Sequence, residues 1–156
     1  MGSARANANQ ALYLAKIVLA AWRDARDAGD IPPATLASAF RPPVRGHLLE
    51  AYGWFLLEIM GEELPPDGTV PAGVADLPER PAGKAESGEL REFRQMEAEG
   101  WLHGLLAPPG AAVQHRGGRD SLAVEVPAQA DLADAADWAE RLEALFGRMR
   151  DSLDEY

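Results

Sequence analysis

The chain predicts an all-α fold, an antiparallel bundle of four main helices with a short extra helix. Three stretches carry this prediction. From Asn7 to Ala28, Ala8, Ala11, Ala15, Val18, Trp22 and Ala25 recur three and four residues apart, the period of one helix face. Leu48, Tyr52, Phe55 and Ile59 repeat the pattern in a second stretch. Toward the C-terminal end, Leu132, Ala135, Ala139, Leu142, Phe146, Met149 and Leu153 alternate strictly between the two spacings, as suits one seam against a bundle.

The first helix is predicted from about Arg5 to Ala28, closed by Gly29-Asp30. Leu12, Leu14, Ile17, Leu19 and Ala21 fill much of its remaining surface, so it is expected to be covered on more than one side. Ile31-Pro32-Pro33 opens the short helix, which runs to about Phe40, because proline is tolerated in a first turn. Pro42-Pro43 is expected to break or kink the chain. The second long helix then spans about Val44 to Leu64, with Leu49, Leu56 and Met60 as a second apolar side.

From about 65 to 88 the sequence is rich in Pro, Gly and Asp, and predicts a long, partly mobile surface connection. A third helix is expected from about Gly88 to Ala107, stopped by Pro108-Pro109-Gly110. Between 111 and 126, two short runs flank Arg116-Gly117-Gly118-Arg119-Asp120 and suggest either a small hairpin or an irregular loop. The last helix begins near Asp131. No internal repeat is found, and residues 1–156 are read as a single domain.

Composition narrows the function classes. With 47% apolar residues and four Trp among 156, the chain holds enough apolar surface for a core that needs neither metal nor disulfide. It has no Cys, so thiol catalysis and thiolate metal sites are excluded. The longest apolar run, Ile17 to Trp22, is far short of the ~18 residues of a membrane span. The opening MGSARA has no apolar signal region, which gives a cytoplasmic expectation. A net charge of −10 argues against general nucleic-acid binding, since phosphate contact needs a cationic surface. Only Lys16 and Lys84 are lysine; with abundant Ala, Gly and Pro this fits a GC-rich bacterial genome.

The words NQALYLAK at Asn9 to Lys16 and HLLEAYGWFLLEI at His47 to Ile59 resemble a family of small, uncharacterised all-helical proteins from gamma-proteobacteria. The resemblance covers about the first 60 residues. That family is a domain of unknown function, so the resemblance implies a bundle and no particular activity.

Several constellations invite chemical readings, each with a plainer alternative. His47 and Glu50 stand three apart and Glu99 and His103 four apart, spacings that put two metal ligands on one helix face. Neither pair has the order and spacing of the Glu-x-x-His motif of di-iron bundles. No metal or cofactor is therefore expected, and the pairs are read as surface residues. Arg41 and His47, five residues apart by gap, match the spacing of HEPN-type helical ribonucleases, but Pro42-Pro43 falls inside the gap. Glu140, Glu143, Asp151 and Asp154 superficially resemble the acidic pairs of all-α nucleotide pyrophosphohydrolases, yet they share one helix and read as solvated acids. The serines offer no nucleophile elbow, and no catalytic residue is assigned.

Three groups remain as ligand or partner candidates. Asn9, Gln10, Tyr13 and Lys16 make a polar patch that could meet His47 or Glu50 across the bundle, either as a register-fixing network or as a site. His115, Arg116 and Arg119 form a basic tip that could hold an anion or be an ordinary turn. Trp54 and Trp138 fall off their helices' main seams and are candidate anchors for a partner. The function expected is a non-catalytic protein-interaction or self-association module. The alternative is a small-ligand protein or metal-dependent enzyme with a site between the first two long helices.

Overall fold

The computed structural model describes residues 3–62, 68–78, 83, 85–107 and 128–155, with side chains of the last segment from 131 onward. The described residues contain no strand. They form α1 (Ala4–Ala28), α2 (Pro33–Met60), α3 (Gly88–Ala98), α4 (Trp101–Leu106) and α5 (Ala128–Asp154), with one 3-10 turn at Val74–Asp76. The expected hairpin or loop at 111–126, with His115, Arg116 and Arg119, lies outside the described residues.

Ser3 starts α1 by accepting the Ala6 N–H on its hydroxyl at 3.1 Å. Gly29 ends the helix at φ +73°, a left-handed position that glycine fills without strain, and Pro33 opens α2 after a short connection. The predicted break at Pro42-Pro43 does not occur: both prolines lie within one helix of 28 residues, which absorbs the short extra helix. The two prolines deprive the carbonyls of Ser38 and Ala39 of donors. Ser38 and Ala39 are exposed, so water can replace the lost bonds.

Cross-helix pairs fix the topology. Arg5, Asn9 and Lys16 on α1 meet Asp154, Arg150 and Glu143 on α5, so these helices run antiparallel. Arg5 near Glu58 and Trp22 stacked on Phe40 make α1 and α2 antiparallel as well. On α3, Phe93 packs on Phe55 and Glu97 accepts from Tyr52, while Glu92 pairs with Arg148 of α5 and Glu89 accepts from Ser152. Thus α1 and α3 each run opposite to both α2 and α5, giving an up-down-up-down bundle.

α2 is the central helix, touching α1, α3, α4 and α5. Leu48, Ala51, Tyr52, Phe55, Leu56 and Leu57 are buried on it, and Leu49, Ile59 and Met60 pack on the core from its flanks. Phe55 stacks on Phe146 with ring centroids 4.0 Å apart and meets Phe93 edge-on. Each such side chain contributes about 1.5–3 kcal/mol by leaving water. The α5 seam is buried from Leu132 through Met149, as its spacing predicts.

The long third helix of the sequence reading is two helices. Gly100 sits at φ +93° and Glu99 is extended, so the chain turns between Ala98 and Trp101. Arg45 of α2 then closes α4 by donating to the carbonyls of Leu105, Leu106 and Ala107 at 3.0–3.2 Å. Burial, and after it the charge of Arg41, lowers the Arg45 pKa.

The expected mobile connection is partly tied down. Pro71 and Val74 are buried, and the Val74 N–H donates to Glu97 at 2.9 Å. Glu97 also accepts the Tyr52 hydroxyl, whose pKa is pushed well upward by burial, then by that hydrogen bond and the carboxylate charge. The segment crosses α2 at Gly53, where a Cβ would lie 2.0 Å from Val70 Cγ1 and 2.5 Å from the Pro71 oxygen. Only glycine leaves room for that crossing.

Candidate interaction face

α1 was expected to be covered on more than one side, and its inner seam is: Ala8, Ala11, Leu12, Ala15, Leu19 and Trp22 are buried against α2 and α5. Its other apolar residues do not follow. Leu14 is half-buried, while Ile17 and Ala21 are exposed. No described element covers the outer face, because α1 contacts only its two neighbours in force.

The polar patch of α1 divides between two surroundings. Asn9 accepts from Arg150 at 2.8 Å, and Lys16 pairs with Glu143 at 2.6 Å, so both tie α1 to α5 rather than to α2. Gln10 is exposed, and Tyr13 projects outward with 60% of its surface exposed. Glu50 is exposed and His47 half-buried, and no hydrogen bond or ion pair links Tyr13, His47 and Glu50. The six side chains do not converge on one point.

Sequence reasoning missed the interior polar groups. Arg150 lies against the rings of Phe55 and Phe146, its guanidinium carbon 5.3 and 5.7 Å from their centroids. It donates twice to Glu58 at 2.9 Å, and each of these two side chains is only 13% exposed. Arg150 reads in sequence as one more solvated charge on a polar helix face. Its partner lies 92 residues away, so no local signal marks the pair. Together with Tyr52–Glu97 and Arg45, this pair holds helices together and leaves no buried side-chain N or O unsatisfied among the described residues.

The remaining chemical constellations stay dispersed. Arg41 is exposed and pairs with Asp131 at 3.2 Å. His103 donates from Nδ1 to the Glu97 carbonyl, and Glu99 sits at the helix break rather than on the His103 helix. Glu140 and Asp151 are exposed, whereas Glu143 and Asp154 face Lys16 and Arg5. No group of three or more His, Asp or Glu residues among those described could hold a metal ion. No helix among them is long and apolar enough to cross a membrane. Trp54 and Trp138 are half-buried and pack on the core, so neither stands free as an anchor.

The outer face of α1 is covered by no described element. Tyr13 and Ile17, 60% and 47% exposed, lie one turn apart. With Ala6, Gln10, Ala20 and Asp24, all exposed, they follow the alternating four-three spacing of a second helix seam. From Ala6 to Ala20 this seam carries no formal charge, although the chain as a whole carries −10. Among the described residues nothing covers this second, charge-free seam, which leaves it open to a partner. Comparison with known proteins finds no family model, no curated protein and no solved structure that matches this chain.

Proposed function

We propose that this chain is a non-catalytic protein-interaction module that presents the outer seam of α1 to a partner. The observation that carries the reading is the exposure of Tyr13 and Ile17 side by side on an uncharged seam. Large apolar side chains in this setting are the usual anchors of an interface. The interior arginines, Glu58, Glu97 and Tyr52 are already engaged with one another or with backbone, which supports a structural rather than a catalytic use of the polar residues. The acidic surface favours a protein over a nucleic acid, and the setting we propose is the cytoplasm. Membership of the resembled gamma-proteobacterial family belongs to the same proposal.

The test is a photo-crosslinking amino acid placed at position 13 in the cells that make the protein, with Arg91 on α3 as the control position. A covalent protein adduct from position 13, and none from position 91, is expected. Equal yields from both positions, or no adduct from 13, would overturn the reading.

A further inference from the structure

We infer that α3, α4 and the segment 70–77 open from the bundle as one cooperative lid, with Glu97 as its latch, while α1, α2 and α5 stay folded. This opening is independent of the partner face on α1.

The three long helices close on one another without the lid. They are 25, 28 and 27 residues long, about seven turns each. α1, α2 and α5 each touch the other two. Phe55 of α2 stacks on Phe146 of α5, and the inner seam of α1 is buried against both helices. The polar ties of this core, Arg150 to Glu58 and Asn9 and Lys16 to Glu143, run among the same three helices.

The lid is a unit because Glu97 joins its three pieces. The carboxylate accepts the Val74 N–H, and the main-chain carbonyl of the same residue accepts from His103 Nδ1 of α4. Gly73 lies close against that carboxylate, where a Cβ would stand 3.1 Å from Oε1. α3 and α4, at 11 and 6 residues, are too short to persist as helices once they leave the core. Displacing Glu97 therefore loosens all three pieces together.

The ties from lid to core are few and unequal. Glu92–Arg148 joins two solvent-facing side chains, and Ser152–Glu89 is long at 3.5 Å, so neither holds firmly. The firm polar ties are the Tyr52 hydroxyl on Glu97 and Arg45 on the carbonyls that end α4. Phe93 adds its edge-on contacts with Tyr52 and Phe55. The core holds a longer apolar seam and the Arg150–Glu58 pair besides, so the lid opens at a lower free energy than the whole chain unfolds. Opening bares the Tyr52 and Phe55 rings, both fully buried in the closed molecule. The lid thus decides when that aromatic face of α2 meets water.

Native-state hydrogen exchange of the full chain, in urea below the unfolding transition, tests this. The amides of Val74, of α3 from Arg91 onward and of 105–107 are expected to share one urea-dependent opening. They should exchange at least about tenfold faster than the slowest amides of α1, α2 and α5. Arg150→Met perturbs only the part that the closed and open forms share. It is expected to speed exchange in α1, α2 and α5 more than about tenfold and to leave the lid within about twofold of wild type. Glu97→Ala should speed α3 and α4 by one common factor, although its side chain bonds to nothing in α4. Separate openings for α3 and α4 would overturn the inference. So would lid amides as slow as those of the core, or equal acceleration of both parts by Arg150→Met.

Discussion

Replacing Glu58 by Leu strands the Arg150 guanidinium against Phe55 and Phe146 with only Asn9 left to accept from it. Two charge-assisted hydrogen bonds at 2.9 Å are lost in a place where each partner is 13% exposed. Removing one member of a buried pair costs about 3–5 kcal/mol. Some water still reaches Arg150 and the Asn9 bond survives, so about 2–4 kcal/mol is expected here. Arg150→Met leaves Glu58 with Arg5 at 3.8 Å and loses the two ring contacts, with a similar expected cost. The double change Glu58→Leu/Arg150→Met leaves neither charge behind and places apolar groups on two phenyl rings. It is expected to lie within about 1 kcal/mol of wild type. The four proteins make a double-mutant cycle, read by urea denaturation under circular dichroism, with a coupling of about 6 kcal/mol, the two single losses less that of the double variant. If the double variant loses the sum of the single losses, the pair is not coupled and its structural role is wrong.

Other contacts give further expectations. Gly53→Ala should displace the Val70–Pro71 crossing and cost about 1–3 kcal/mol in urea denaturation; a neutral result would contradict that close approach. Tyr52 keeps its proton in the folded chain beyond its ordinary value of 10.0, so its contribution to stability is complete below that pH and declines above it, where the unfolded tyrosine ionises. Stability measured from pH 9 to 11 should therefore fall by up to about 1.4 kcal/mol per unit from this group alone, and Tyr52→Phe should remove that component. Arg45→Met uncovers three carbonyls at the end of α4 and should speed amide hydrogen exchange over 101–107 before it affects α1 or α5.

What was legible in the sequence was what depends on local spacing. The α5 seam and the inner α1 seam follow from residues three and four apart, and the burial of Leu142 or Trp22 needs no more information than that. Pro42-Pro43 was misread because a proline's effect on a helix depends on whether water reaches the carbonyls it deprives, a tertiary property of Ser38 and Ala39. Gly100 was overlooked as a breaker because the apolar pattern continues across it from Met96 to Trp101. Arg150–Glu58 and Tyr52–Glu97 join positions 92 and 45 residues apart, and no periodicity encodes such pairs. The candidate face was half legible. Tyr13 belonged to the polar patch and Ile17 to the residues expected to be covered, and only the placement of α2 and α5 on the opposite side of α1 shows that both are exposed.

The absence of cysteine makes a single spin label unambiguous, and Ala20, exposed on the outer seam of α1, is a place for it. Continuous-wave spectra of labelled Ala20→Cys in extract of the cells that make the protein should broaden as a partner immobilises the label, and the same label at Arg91→Cys should not change. No broadening at position 20, or equal broadening at positions 20 and 91, would contradict docking through the outer seam of α1.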